Sequence, residues 1–391
     1  MTPREPYKAG MSESAKDWMC RIRPHVLDFF DSEVFGPMPP RPARTRFELV
    51  EGGEAFGGAA VRRQFRVVSE DACGGHSFDV LLYIPAEAPF PRPAFVCPNF
   101  RGNHTVTDDQ AVILSQCARY GGGEPRGEER GGRAGRLPVR DILGAGFAVA
   151  TFCHGAVFPD YTATPGRDSG AGAGESVWRI FAARDGVPRL ALSAWAWGDC
   201  RVLDLLETQP EIDSRRVAVA GHSRLAFAAA GAAAHDNRFA LCCLSGGGCK
   251  SVAHIPNLRF PAWFAPGLRQ WSALSESGLP EGEAEARRGA LPPPPFDMGD
   301  LLGCIAPRPL HVAASRDDVY APPEVQFAGV VAASAVYRLF GATCLPPSEA
   351  MLAPEVFFGD ISWHCKPGPH SITRDDWRAF LAGAGRRFGM Q

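Results

Sequence analysis

The residues best suited to act together in chemistry are Ser223, an aspartate at 317 or 318, and His370. Ser223 stands in Gly221-His-Ser-Arg224, between the apolar run Val217–Ala220 and the alanine-rich stretch Arg224–Ala234. A serine hydroxyl is a poor nucleophile at neutral pH. It becomes a good one when a base takes its proton and a carboxylate orients that base. A strand, a turn flanked by small residues and a helix whose first N–H groups face the reacting oxygen would present Ser223 for acyl transfer. The Gly-x-Ser spacing alone says little, since Gly174-Glu175-Ser176 repeats it outside any strand-helix context. A serine there can also simply cap a buried helix.

The other two groups follow in order along the chain. Past the apolar run Leu310–Ala314 comes Ser315-Arg-Asp317-Asp318-Val-Tyr320, which puts a carboxylate at a strand end. Asp318 is the expected acid, because Asp318-x-x-x-Pro322 resembles the acid turn of many esterases; Asp317 is the alternative, otherwise a solvated or helix-capping neighbour. A last strand is expected over Glu355–Trp363, then His364-Cys-Lys-Pro-Gly-Pro-His370, then a helix from Thr373 with Trp377, Phe380, Leu381, Ala384 and Phe388 on one face. His370, in the Gly-Pro loop before that helix, is the expected base. His364, at the strand end, reads as structural. No His-Glu-x-x-His or Cys-x-x-Cys spacing occurs, so neither a metal nor another cofactor is expected.

These residues need a scaffold, and the hydrophobic pattern describes one. An amphipathic helical segment over Ser12–Phe35 carries Trp18, Ile22, Val26, Leu27 and Phe30, and ends at Gly36-Pro-Met-Pro-Pro. Thr45–Val50, Val61–Val68 and Phe78–Ile84 read as antiparallel strands. Short apolar runs then alternate with helical stretches, at Ala94–Pro98, Phe147–Cys153, Val217–Ala220, Ala240–Leu244 and Leu310–Ala314, as a parallel sheet covered on both faces requires. An antiparallel start and a parallel body form the α/β-hydrolase layout, in which the chain order is serine, acid, histidine. The expected organisation is a helical lead-in over 1–40 and one α/β-hydrolase domain over 41–391, with insertions near 121–135, 162–190 and 250–300. The stretches 121–135, 162–174 and 275–295, rich in Gly, Pro or charge, read as binding rims or mobile loops.

Composition narrows the partners. The 391 residues are 45% hydrophobic and 21% charged, with a net charge of −2 from 41 basic and 43 acidic side chains. No basic run is dense enough to track nucleic acid or an anionic membrane. No stretch of about 18 apolar residues occurs, and the start Met1-Thr-Pro-Arg has no apolar leader. A cytoplasmic protein is expected as written, or a secreted one if the start is misassigned. Cys97, Cys153, Cys242 and Cys243 sit inside apolar runs, where a thiol behaves as a small hydrophobe.

Six ordered blocks resemble bacterial glucuronoyl esterases: Asn99-Phe-Arg-Gly-Asn-His-Thr-Val106, Ala194-Trp-Ala-Trp-Gly198, Arg216-Val-Ala-Val-Ala-Gly-His-Ser-Arg-Leu225, Arg238-Phe-Ala-Leu241, Ile305-Ala-Pro-Arg-Pro-Leu310 and Gly368-Pro-His370. The likeness runs from about Phe78 to Phe388. It implies hydrolysis of an ester between a uronic acid on xylan and a lignin alcohol, with Ser223 as nucleophile, His370 as base and Arg224 stabilising the oxyanion. Arg101 and Asn103, in the first block, are expected to contact a small-molecule or oligosaccharide ester. Departures are as informative. The family's elbow continues Ser-Arg-x-Gly-Lys with a sugar-binding lysine, whereas this chain reads Ser223-Arg-Leu-Ala226-Phe227. Phe227 is expected to line the substrate pocket and favour an apolar facing group, unless it fills the core between helix and sheet. The glutamate some members carry before Ser-Gly-x-Gly-Gly is missing from Leu244-Ser-Gly-Gly-Gly-Cys249, which leaves the acid to Asp317 or Asp318. The rival functions are an acetyl (xylan) esterase or other sugar deacetylase, and a catalytically silent binding protein on a hydrolase scaffold. Three intact triad residues argue against the last.

Overall fold

The computed structural model describes residues 14–87, 91–115, 127–160, 172–184, 186–249, 252–255, 262–271, 293–342, 351–353 and 355–390. Nine strands form one sheet in the order β1-β2-β3-β5-β4-β6-β7-β8-β9. They are β1 Arg44–Ala55, β2 Ala60–Asp71, β3 Gly74–Pro85, β4 Arg92–Val96, β5 Ala148–Phe152, β6 Ile212–His222, β7 Leu241–Ser245, β8 Leu310–Ser315 and β9 Ile361–Lys366. β1, β2 and β3 pair antiparallel, as does β3 with β5. From β5 through β9 all pairings are parallel. This is the α/β-hydrolase arrangement that the apolar runs imply.

Alternate residues of the central strands feed two separate cores, because successive side chains point to opposite faces. Val217 and Val219 of β6 join one cluster with helices Ala191–Leu206, Arg224–His235, Met298–Gly303 and Pro323–Leu339. Ala218 and Ala220 join the other, with helices Val139–Gly144 and Arg374–Phe388. The N-terminal segment winds through α- and π-helical turns from Ala15–Asp17 to Phe30–Val34. Its Trp18, Ile22, Val26, Phe30 and Val34 lie in the first of these cores, so the lead-in is packed into the body of the domain.

Several strands are longer than expected: β2 runs on to Asp71, β3 starts at Gly74 and β6 starts at Ile212. β1 runs past Val50 to Ala55, where Gly52 and Gly53 pair with Arg63 and Arg62 and Glu51 binds Arg62 across the strands. β9 begins at Ile361 rather than Glu355. A turn in which Gly359 N–H donates to Ser362 Oγ precedes it, and Phe357 folds back in a single bridge to Trp363. His364 therefore lies inside β9. Of the loops singled out above, 121–126, 162–171 and 275–292 lie outside the described residues. No described helix is long and apolar enough to cross a membrane.

Candidate active site

The turn after β6 places Ser223 in a conformation that few side chains adopt, φ 58° and ψ −126°. Such backbone strain costs on the order of 1–3 kcal/mol and persists only where the surroundings enforce it. Here they do. Gly221 lies flush against the first turn of helix Arg224–His235, where an added Cβ would meet the Leu225 carbonyl oxygen at 2.1 Å. Gly247 presses against the Ser223 carbonyl in the same way, at 2.8 Å. Ser223 N–H donates to the Ser245 carbonyl at 2.8 Å, which ties the turn to the end of β7.

His370 Nε2 lies 2.9 Å from Ser223 Oγ, and His370 Nδ1 lies 2.7 Å from Asp318 Oδ2. Asp318 is fixed in turn, its Oδ1 accepting from Tyr320 N–H and Ala321 N–H, each at 2.9 Å. The carboxylate side chain is wholly buried, so its attraction for an imidazolium is little screened. Asp317 instead points toward solvent and accepts from Gly368 N–H at 3.0 Å, steadying the loop that carries His370. Lys366 at the end of β9 holds the same loop from below, donating to Ser315 Oγ at 2.7 Å and to the Ser371 carbonyl at 2.8 Å. His364 sits in the core between His311 and Asp376, at 3.1 and 3.0 Å. Burial would raise the Asp376 carboxyl, but His364 and Lys366 hold it below the usual carboxylate range.

A second histidine, His222, packs against His370 with the rings tilted by 37° and their centroids 4.8 Å apart. Burial and the charges of His370, Arg136 and Lys366 push its proton affinity well down, and its Nδ1–H donates to the Ser245 carbonyl at 3.1 Å. A neutral ring beside His370 leaves room for one imidazolium, on His370.

The Arg224 side chain reaches the same cleft as Ser223, with its guanidinium carbon 4.0 Å from the ring centre of Trp263. Its Nη1 donates to Asp160, a wholly buried carboxylate. Behind Asp160 stands His154, 3.5 Å away and also wholly buried, with Nδ1 3.0 Å from the Asn99 carbonyl. Burial alone would lower the His154 pKa, yet hydrogen bonding to Asp160 and Cys153 raises it to about 9. Sequence reasoning missed Asp160. It stands singly after Phe158-Pro159 with nothing local to mark it, and its partners are 64 residues on at Arg224 and six residues back at His154.

The cleft has a volume of about 270 Å³ and is lined by Pro98, Phe100, Arg101, Val106, Arg133, Arg136, Leu137 and Ile372 around Ser223, Arg224 and His370. A strained serine bonded to a histidine, that histidine bonded to a buried carboxylate, and an arginine next to the serine together can perform acyl transfer. The comparisons agree. The family model for glucuronyl esterase of fungi matches residues 140–341, more than half of the chain. The chain belongs to the glucuronoyl esterase family. It is 30% identical to a glucuronoyl esterase from Solibacter usitatus of known structure, over 96% of this chain and 94% of that one, with a TM-score of 0.81. A promiscuous CE15 esterase from the marine bacterial metagenome is 27% identical over 98% of both chains, with a TM-score of 0.82. Among curated proteins, carbohydrate esterase MZ0003 from an unknown prokaryotic organism is 29% identical over 94% of this chain and 84% of its own length. The protein is a carboxylic ester hydrolase acting on carbohydrate esters.

Two expected substrate contacts of this esterase lie elsewhere. Phe227 is only 7% exposed and does not line the cleft. Its ring packs against Phe35 of the N-terminal segment and Phe264, with centroids 6.2 and 6.0 Å away. Arg224 is the first residue of its helix and reaches the cleft, whereas Phe227, almost one turn further along, is enclosed by Phe35 and Phe264. Asn103 is buried as a strut. Its Oδ1 accepts from Asn99 at 2.8 Å, its Nδ2 donates to the Asp79 carbonyl at 3.1 Å and its N–H donates to Ser115 Oγ at 2.7 Å. These bonds fix the loop that presents Phe100 and Arg101, and only Arg101 of the expected three reaches the cleft. Arg133, within the 121–135 stretch read as a binding rim or mobile loop, and Arg136, just past it, do reach it.

The core position of Phe227 has a measurable consequence. Phe227→Lys would put an ammonium among Phe35 and Phe264, and is expected to destabilise the fold by about 3 kcal/mol or more. An apparent melting temperature several degrees below wild type is the expected reading. An unchanged melting curve with altered ester selectivity would return the ring to the substrate cleft.

Proposed function

We propose that Ser223, His370 and Asp318 form the catalytic triad, that hydrolysis proceeds through an acyl-enzyme, and that the acyl group is a uronic acid or a closely related sugar acid. The observation that carries the reading is the continuous chain Ser223 Oγ to His370 Nε2 at 2.9 Å and His370 Nδ1 to Asp318 Oδ2 at 2.7 Å. Ser223 Oγ attacks the ester carbonyl as His370 Nε2 takes its proton, and the Asp318 carboxylate stabilises the imidazolium. The oxyanion of the tetrahedral intermediate faces the first turn of helix Arg224–His235 and the Arg224 guanidinium. One nitrogen of that group is held by Asp160, which sets the guanidinium beside the elbow. His370 then returns the proton to the departing alcohol, leaving the acyl group on Ser223. A water deprotonated by His370 attacks the acyl-enzyme, which releases the acid and restores the serine. Arg101, lining the cleft, is the expected contact to the acyl part.

On the alcohol side, Tyr320 stands edge-on to His370 with centroids 5.5 Å apart, and it and Val319 are 64% and 82% exposed. The leaving oxygen must lie within reach of His370 Nε2, so an apolar or aromatic alcohol would rest against these two side chains.

A panel of benzyl glucuronate, 4-nitrophenyl acetate and acetylated xylo-oligosaccharides tests the reading. Benzyl glucuronate is expected to give the highest kcat/KM, and a fluorophosphonate probe is expected to label Ser223. Turnover of the acetylated oligosaccharides with none of the glucuronate would make the protein a sugar deacetylase. Failure of the probe to label would support a silent scaffold.

A further inference from the structure

Three guanidinium groups besides Arg224 line the cleft, those of Arg101, Arg133 and Arg136. Arg224 is paired with Asp160, whereas among the described residues no carboxylate pairs with the other three. Among the described residues no acidic side chain lines the cleft, and Asp108 and Asp109 are engaged elsewhere, Asp108 with Arg140 and Asp109 with Arg62 and Tyr83. The imbalance is local, since the whole chain has 41 basic and 43 acidic residues. Away from the cleft, Arg62, Arg63, Arg66 and Arg238 have carboxylate partners, and Arg23, Arg130 and Arg308 are held by backbone carbonyls.

The cluster is held in place by the backbone rather than by charge. Arg133 N–H donates to the Thr105 carbonyl at 2.7 Å, and Gly131 N–H to the His104 carbonyl at 3.1 Å. The Arg136 carbonyl accepts from Trp377 Nε1 at 2.8 Å, which ties the segment to the C-terminal helix. Arg101, Arg133 and Arg136 line the same cleft, and burial together with the charges of the other two lowers the proton affinity of Arg136. Like charges gathered in one cleft raise the local concentration of anions, and an oxyanion bound among them relieves the repulsion. The ester bond itself is neutral, so the group that answers these charges is a different part of the substrate.

We propose that the cleft takes a uronic acid ester whose neighbouring sugar carries a second oxyanion, a free carboxylate or a sulfate, gripped by Arg101, Arg133 and Arg136. This rests on the reading of Ser223 as the esterase nucleophile in the same cleft. The test compares three benzyl esters of a uronic acid within a disaccharide. In these the second sugar carries a free carboxylate, a sulfate, or the same carboxyl as a neutral primary amide. Wild-type enzyme at low salt is expected to favour at least one anionic ester over the amide by about ten-fold or more in kcat/KM, chiefly through KM. The margin should shrink as added salt shortens the screening length to about 8 Å and below. The double variant Arg133→Gln with Arg136→Gln is expected to lower that ratio about five-fold or more. Which anionic ester wins identifies the oxyanion. Equal kcat/KM for all three in wild type, or a ratio the variant leaves unchanged, overturns the proposal. Turnover of the amide ester reports on the esterase reading separately. If none of the three is cleaved, calorimetric binding to the Ser223→Ala protein still decides, since equal affinity for anionic and neutral compounds overturns the anion site.

Discussion

Ser223→Ala is expected to lower kcat by about 10³-fold or more on every ester the wild type hydrolyses, with KM little changed and the melting curve intact. The substitution removes one oxygen, the atom that His370 contacts at 2.9 Å. The backbone at 223 keeps its φ of 58°, which alanine bears as serine does, so folding should not suffer. Residual hydrolysis would come from Arg224 and the helix N-terminus, which still polarise a bound carbonyl when water is the attacking group. The measurement is single-turnover and steady-state kinetics on benzyl glucuronate, beside thermal melting of both proteins. Wild-type turnover by a correctly folded Ser223→Ala protein would remove the nucleophile from the argument.

The parts of this site that sequence conveys are those built from local chain geometry. The elbow is legible because strand, glycine, serine and helix follow one another within about a dozen residues, and the close approach of Gly221 to Leu225 is a neighbour effect. His370 is legible because it shares a short Gly-Pro loop with the cap of helix Arg374–Phe388. The parallel strands show as short apolar runs because both of their faces are buried in the two cores. What fails is anything decided by distant packing. Phe227 stands on a helix whose buried residues run from Leu225 to Ala234 without a polar face, so periodicity could not assign the ring a direction. Its fate depends on Phe35, almost 200 residues earlier in the chain. Asn103 has the chemistry of a substrate contact, and only the fold reveals that Asn99, Asp79 and Ser115 already use its polar atoms. Asp160 and the pair Arg133 and Arg136 are invisible for the same reason: a single charged residue acquires a role only from what the fold sets opposite it.

Asp318→Asn is expected to lower kcat by about 10³ to 10⁴-fold, and Asp317→Asn by less than about ten-fold, although the two residues are adjacent. The difference follows from where each carboxylate sends its charge. Asp318 Oδ2 accepts from His370 Nδ1 at 2.7 Å, while Oδ1 is held by two backbone N–H groups at 2.9 Å. An asparagine there would keep its carbonyl oxygen toward those two donors, because turning the amide over would set its NH2 group against them. The NH2 group then faces His370 Nδ1 and requires an unprotonated nitrogen there. The imidazole would hold its proton on Nε2 and could not accept one from Ser223. Without that counter-charge, the half-buried imidazolium of the transition state would also lose its stabilisation. The exposed Asp317 carboxylate accepts from the Gly368 N–H at 3.0 Å, and an amide oxygen replaces that bond without altering the histidine. Kinetics of the two variants on one ester, with thermal melts to confirm folding, separate the roles. The reverse ranking would transfer the triad acid to Asp317, and two small effects would mean that a carboxylate elsewhere in the chain orients His370.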